Sequence, residues 1–599
     1  MDDYRSLTVD EIGTLVANGC SAEDWGEVLV AEGFSADYVR DVSFYGRVRI
    51  GALDKTIGVA EGFQRHASIT RACLRDVVVG DNCLIENIGT YISRYRIGDE
   101  CYVANVGVME CGEDANFGEG VAVATLNEAG AGNVVVYDAL SAQTAALMAM
   151  YAADGGVWER IRGMVADYCG ERVSGSGGYG TVGAGVKIVN TREIANSNIS
   201  DYCEICGASR VTESTLAGDG EASILIGGDV VIDNSIVQAG ASVVDGARVY
   251  SCLVGEACHI GKGFTGVSSL FFANTTMDNG EAQASLCGPF TTSHHKATLM
   301  IGVETSFFNA GSSTNFSNHA YKMGPIHYGR LQRGSKTASG CHIVLPARIG
   351  AFSMCMGKIE SHPDTRLFPF SYVVGNGRET TVLPGRNIAT AGTYRDIHKW
   401  RSRDMRPYSG RRSIVTDDWM SPMVMHNILE GRRLIAQGEG TVSVGNATVR
   451  CDGKGVRLID MALRMYYGDM AERYGDTLPE SSIGTGEWVD LLGMMAPRSE
   501  VERVADAIRD GAIGSVEEIE GAFRRVAEGY ERYKWCAAYR DMLDYYDIES
   551  VTVEDVRRIV DDGRRAHAEW IAAVRQDAQE EYALGDVDES TLNDFLRKI

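Results

Sequence analysis

Along most of the chain, apolar residues recur in short clusters parted by polar turns, without the 3.6-residue stripe of a helix. Val79-Gly80-Asp81-Asn82-Cys83-Leu84-Ile85-Glu86-Asn87-Ile88 returns 18 residues later as Ile97-Gly98-Asp99-Glu100-Cys101-Tyr102-Val103-Ala104-Asn105-Val106. The rhythm resumes at Val182-Gly183, Ile226-Gly227 and Val254-Gly255, and Ile199, Leu216, Ile236 and Leu253 close polar segments at intervals of 17, 20 and 17. Three units of one aliphatic residue, one small residue and four variable ones make a coil near 18 residues. Aliphatic side chains then stack inward coil upon coil, and glycine takes the tight turns. The pattern predicts a parallel β-solenoid.

Other stretches have helical periodicity. The segment Asp138 to Arg172 predicts a helical excursion between coils, within an insertion spanning 132–178. Residues 1–44 open on Thr8-Val-Asp-Glu, an N-cap signature, and predict a helical cap over the solenoid's open end. Solenoid is expected over 45–131 and 179–395, a basic linker over 396–414 and a mainly helical domain over 415–599.

Composition sharpens this picture. Glycine accounts for 70 of 599 residues, as a turn-rich β architecture requires, and 45% hydrophobic content suffices for a long core. The net charge of -25 argues against a surface made for nucleic acid or anionic membrane. The N-terminus has neither the basic head nor the apolar core of a signal peptide, no run of about 18 apolar residues occurs, and the 15 cysteines are scattered singly, so a cytoplasmic protein is expected. Charge is uneven: Phe290 to Arg412 carries 17 Lys and Arg against 6 Asp and Glu. All ten prolines lie at or beyond Pro289, and six of the eleven histidines lie between Phe290 and Thr365. This stretch is the candidate site; the alternative is that it is the positive half of an interface with the acidic remainder.

The repeat resembles that of the left-handed β-helix, or hexapeptide-repeat, superfamily of acyltransferases, sugar-nucleotide enzymes and some metal-dependent lyases. The overall layout is similar to a family of large hexapeptide-repeat proteins with no assigned activity. The resemblance implies a mainly β fold, a left-handed parallel β-helix commonly assembled as a homotrimer, and, in the acyltransferases, a wall histidine as general base with acyl-CoA as co-substrate. Asn318-His319-Ala-Tyr321-Lys322-Met-Gly324 looks like the Asn-His segment of bifunctional N-acetylglucosamine-1-phosphate uridylyltransferases, and Lys336-Thr337 with Cys341 to Gly350 looks like their later coils. Their Gly-rich nucleotidyltransferase signature has no counterpart in this N-terminus.

His319 is thus the expected base, ahead of His294 and His295, because neutral imidazole accepts a proton near pH 7. Lys296, Asn318, Tyr321, Lys322, Arg330, Arg333, Lys336, Lys358, His362 and Arg366 are the expected contacts to a phosphorylated or nucleotide-linked substrate. His342, in an apolar run, reads as structural. Gamma-class carbonic anhydrases resemble this solenoid and bind zinc through three histidines, but His319 and His327 stand eight apart and adjacent His294 and His295 cannot both face inward from a strand, so no metal is expected. Cys203-Glu-Ile-Cys206 is a CxxC without a second. Tyr394 to Asp404 mixes basic and aromatic residues; nucleic acid is not expected there, and a solvated linker or interdomain contact is. The competing function is a non-catalytic scaffold or ligand sensor.

Overall fold

The computed structural model describes residues 4–317, 327–407, 411–479, 481–585 and 588–599. Short strands join in a 43-stranded, mostly parallel sheet that winds as a β-solenoid of three strand columns. Ser242, His259, Thr276 and Thr292 are successive register partners in one column, and Ile236, Leu253, Leu270 and Leu286 in another.

The sequence repeat has a direct physical cause. Asp99 Oδ1 accepts the backbone N–H of Asp81 one coil below at 2.7 Å, and Asp81 Oδ1 accepts that of Ala52 at 2.8 Å. A Cβ on Gly80 would come 2.5 Å from Asp99 Oδ1, so only glycine leaves room for this tie. The next residues, Asn82 and Glu100, take the left-handed conformation that turns the corner (φ 56° for both), and Cys83 and Cys101 point inward as small buried side chains. At the following corner Asn87, Asn105 and Asn190 form a ladder, each amide bonded to the next at 3.1 and 3.0 Å. The motif therefore encodes one turn-capping bond, one corner and one core position per coil.

The coil is interrupted after Glu110 and rejoined at Gly180, where Gly180 to Val182 pair with Tyr95 to Ile97 as though nothing intervened. The N-terminal region contributes helix α1 (Val9–Ala17), held by a Thr8–Glu11 capping box. A helical cap over 1–44 was expected, but Val28 to Val30 already pair with Val48 to Ile50, so the alternating valines of Val28–Ala31 make strand and not helix. The excursion holds an antiparallel hairpin (Val121–Val123 with Val134–Val136) and then α2 (Ala142–Tyr151) and α3 (Gly155–Gly175). Beyond the solenoid follow α4 (Ala391–Lys399), α5 (Pro422–Gln437), α6 (Gly453–Tyr474), α7 (Arg498–Arg509), α8 (Val516–Glu528), α9 (Tyr530–Tyr546), α10 (Val553–Leu584) and α11 (Glu589–Leu596). Thr380 to Val382 take Ala447 to Val449 as a parallel partner, so strands of the C-terminal region close the last sheet edge.

The C-terminal region is bonded to the solenoid at buried points. Arg333, 2% exposed, pairs with Asp490 at 2.9 Å, donates to the carbonyls of Thr416 (2.9 Å) and Gly493 (3.0 Å), and lies 4.9 Å over the Phe307 ring. Gln143 of α2 donates to the carbonyls of Ile414 (3.0 Å) and Leu491 (3.1 Å). Insertion, solenoid and C-terminal helices thus share one core.

Candidate functional site

One column presents His259, Thr276, Thr292, Asn309 and Lys336 outward on consecutive coils while Ile260, Met277, Ser293, Ala310 and Thr337 face in. Strand alternation alone sends these side chains to one face. Opposite them lie α4 and the short turn Arg401–Arg403, seated by aromatic packing: Trp400 stands 4.5 Å from Phe307 and 6.0 Å from Phe352, ring centre to ring centre. Between the two walls is a cleft of about 430 Å³, lined also by His294, Asp396, Lys399 and Arg403.

The cleft is strongly positive. Lys336 and Lys399 share the buried carboxylate of Asp396, Lys399 at 2.6 Å. Arg395 stands 3.9 Å from the same carboxylate, leaving three cations around one anion. Burial, then the charges of Lys399 and Arg395, pull the Lys336 ammonium down to about 7. Burial, then Arg403 and Arg395, bring Lys399 to about 8. An arriving anion relieves exactly this strain of like charges. At the mouth, desolvation by the cleft walls lowers the basicity of His294, so its ring is neutral near pH 7. On the far side His259 has Nδ1 2.8 Å from Ser242 Oγ and Nε2 3.5 Å from Asp278, a relay laid across consecutive coils.

Of the residues expected from sequence, His294 and Lys336 line this cleft. His295 and Lys296 are exposed on the turn beside it and do not line it. His319, with Asn318, Tyr321 and Lys322, lies outside the described residues. Arg330 and Arg366 line a different groove of about 340 Å³, paired with Glu304 (3.3 Å) and Asp364 (2.7 Å). Arg333 is corrected from substrate contact to interdomain tie, since its guanidinium is buried and engaged by Asp490 and backbone carbonyls. Lys358 is ion-paired with Glu360 at 2.6 Å, and His362 turns a left-handed corner (φ 52°); neither lines the cleft.

Sequence reasoning missed Asp396, Lys399, Trp400 and Arg403. Their spacing of three, four and seven residues puts them on one helical face, a signal present in the segment read as linker or interdomain contact. Among the described residues no group of three His, Cys, Asp or Glu side chains gathers as a metal set, and no helix is long and apolar enough to cross a membrane.

Both walls fall inside the region that decides the chain's kinship. Residues 4–438 match the family model described as Domain of unknown function (DUF4954). The chain belongs to the DUF4954 family. Residues 473–587 of this DUF4954 protein match a second model, Domain of unknown function (DUF6819), which begins near the end of α6 and takes in α7 to α10. A protein of Treponema pallidum (strain Nichols), named only "Uncharacterized protein", is 27% identical over 391 residues, covering 63% of this chain and 53% of that relative. The DUF4954 chain thus spans about half the length of the relative it matches. The cleft, whose lining runs from Ala257 to Met405, is built wholly by the DUF4954 region.

Proposed function

We propose that the DUF4954 protein is a hexapeptide-repeat transferase with a left-handed β-helix, acting in the cytoplasm, as a homotrimer, on a phosphorylated or nucleotide-linked sugar or related metabolite. The observation that carries the reading is the convergence of Lys336, Lys399 and Arg403 with neutral His294 in one cleft whose described lining holds one carboxylate, Asp396. The cations hold the phosphate or nucleotide. Acyl transfer suits the histidine: as a substrate hydroxyl or amine attacks the thioester carbonyl of acyl-CoA, His294 takes its proton and returns it to the departing thiolate. His319 keeps its claim to this role by resemblance. Fifteen unpaired cysteines suit a reducing compartment.

The competing reading, a ligand-sensing scaffold, has one observation in its favour. Helix α4, which carries Asp396 and Lys399, is held by α10: Ala391 N–H donates to Asp577 at 2.8 Å and Tyr394 packs 5.3 Å from Trp570. Ligand at the cleft would thus be felt in the C-terminal helices. Thermal shifts against acetyl-CoA, a nucleotide sugar and a sugar phosphate test the anion site, since a ligand that binds only the folded form raises the midpoint. Stabilisation lost in Lys336→Met with Lys399→Met supports the site. Acyl transfer falling by about 100-fold or more in His294→Ala supports the enzyme; binding without turnover moves the reading to the sensor, and no shift from any anion sinks both.

A further inference from the structure

A second hollow lies on another face, where the strand column changes character. Its outward positions read Arg96, Thr181, Asn198 and Thr215, then Ile236, Leu253, Leu270 and Leu286. The aliphatic run is buried, and the inserted segment is fixed beside it by Gln238, which donates to the carbonyls of Asp138 (3.1 Å) and Leu140 (3.0 Å). Along the polar run the insertion stands off, leaving a cleft of about 850 Å³ between the solenoid and the end of α3, lined also by Glu119, Asp138, Arg172, Ser200 and Asp201.

The charges of this cleft are committed within the chain. Arg96 donates to the Ser176 carbonyl at 2.6 Å and stacks 4.7 Å over Tyr179. Asp138, 3% exposed, accepts from Arg172 and, at 2.7 Å, from Tyr168. Asp201 accepts the Ala184 N–H at 2.8 Å. Glu119 accepts the Asp138 N–H at 3.1 Å, and burial, with the Asp138 charge next, pushes its carboxyl up to about 8, so it is protonated at neutral pH and has a proton to donate. Asp219, on the same lining, accepts the N–H groups of Glu221 and Ala222, so Arg96 and Arg172 stand against Asp138, Asp201 and Asp219 and the charges nearly balance. The Thr181 hydroxyl donates to Asn198 Oδ1 at 2.8 Å, which leaves the Asn198 amide N–H groups and the Thr181 oxygen facing a ligand on coils about 4.8 Å apart. Coil spacing is close to the length of one pyranose along a saccharide.

From this geometry we infer that the cleft under α3 binds a neutral, polyhydroxylated ligand of the carbohydrate class, with Asn198 and Thr181 as its hydrogen-bonding wall and Glu119 as a donor. The site is separate from the basic cleft and stands whether or not that cleft is catalytic.

The test is saturation-transfer NMR and calorimetry on the full chain with cellobiose, chitobiose, maltose and myo-inositol. At least one should bind, Asn198→Leu should weaken it about tenfold, and Ser200→Trp, which fills the hollow without removing a bond that Ser200's side chain makes, should abolish it. Lys336→Met in the other cleft should leave it unchanged. Raising the pH from 7 to 9 should weaken binding in the wild type and not in Glu119→Gln; the groups facing Glu119, namely Asp138, Arg172, Tyr168 and Cys169, are present in both. Failure of all four probes to bind, or binding that survives Ser200→Trp, overturns the proposal; equal weakening at pH 9 overturns the part given to Glu119.

Discussion

The same corner of the solenoid is built twice with the same backbone and opposite surfaces. In the early coils its left-handed residues are Asn82, Glu100 and Tyr202; in the late coils they are Phe290, Phe307, Phe352 and Phe370, with φ between 50° and 57° throughout. Glu100 and Tyr202 meet solvent, whereas the phenylalanines are buried and stack as pairs, Phe290 on Phe307 at 5.5 Å and Phe352 on Phe370 at 4.7 Å. A bulky side chain gains nothing from a left-handed backbone by itself. The gain comes from what lies outside: Trp400 and Trp419 close over the late corners, while Glu100 and Tyr202 stay in solvent and Asn82 is covered by the backbone of Asp54 and Lys55, whose N–H groups its side chain accepts. The basic cleft forms at the changeover, where Ala257 and Asn274 occupy the corner and leave room beneath α4. The early solenoid is thus self-sufficient, and the late solenoid completes its surface with the C-terminal region.

The largest effect that would break this comparison is loss of the Arg333 tie. Arg333→Ala leaves Asp490 without its buried counter-charge and should cost about 3–5 kcal/mol in urea unfolding. A loss under about 1 kcal/mol would mean that the late coils do not depend on the C-terminal region. Next comes exchange of the corners themselves. Phe307→Asn removes a stacked, buried ring and should cost about 3 kcal/mol. Glu100→Phe, at the equivalent exposed corner, should change stability little and add an apolar patch, read as concentration-dependent association in light scattering. Equal costs at the two corners would erase the distinction.

Much of this was legible in the sequence, because the repeat is written in residues with local reasons: glycine where the next coil's aspartate intrudes, asparagine at the left-handed turn, cysteine facing in. The insertion announced itself by helical periodicity, and the basic stretch by charge. The site was less legible. His294 and Lys336 reach one cleft because Thr292, Asn309 and Lys336 are successive partners in one column, although the second step is longer than the coil repeat. Arg333 looked like an anion clamp because sequence shows its charge and not the Asp490 that consumes it. The outward leucines at 253, 270 and 286 could have shown where the insertion docks, since an apolar residue at a position that should face water marks a covered face. Which distant segment does the covering is a long-range fact that no window contains.

The two clefts also differ in the sign of their pH dependence, which sharpens the comparison further. Lys336 and Lys399 carry folded-state values of about 7 and 8, below the ordinary lysine value, so the unfolded chain binds more protons above about 7 and stability rises as pH climbs toward the unfolded value. Glu119 does the reverse: at about 8 its folded value lies above the unfolded one, the folded chain binds more protons between the two, and stability falls as pH rises from the ordinary carboxylate range to about 8. Lys336→Met with Lys399→Met should remove the rise between pH 7 and 10. Glu119→Gln should flatten the fall. Thermal midpoints followed against pH in the three proteins check both, and a double lysine variant that titrates like the wild type would show that Asp396 neutralises the pair.

The smallest expected effect tests whether the early coils carry their own ties. Asn105 lies in the asparagine ladder, receives the Asn87 amide at 3.1 Å, donates to Asn190 at 3.0 Å, and holds φ at 54° in solvent. Asn105→Ala loses both side-chain bonds and the short polar group whose local hydrogen bonding lets asparagine hold a left-handed backbone, for a cost of about 1–2 kcal/mol. Asn105→Gly loses the same bonds and relieves the backbone, at the price of a more disordered unfolded chain. If the ladder itself contributes, the glycine variant remains less stable than the wild type by a few tenths of a kcal/mol or more. If the residue is there only to turn the corner, glycine matches asparagine and only alanine is penalised, and the early solenoid then rests on its aliphatic core and its Asp81–Asp99 ties alone.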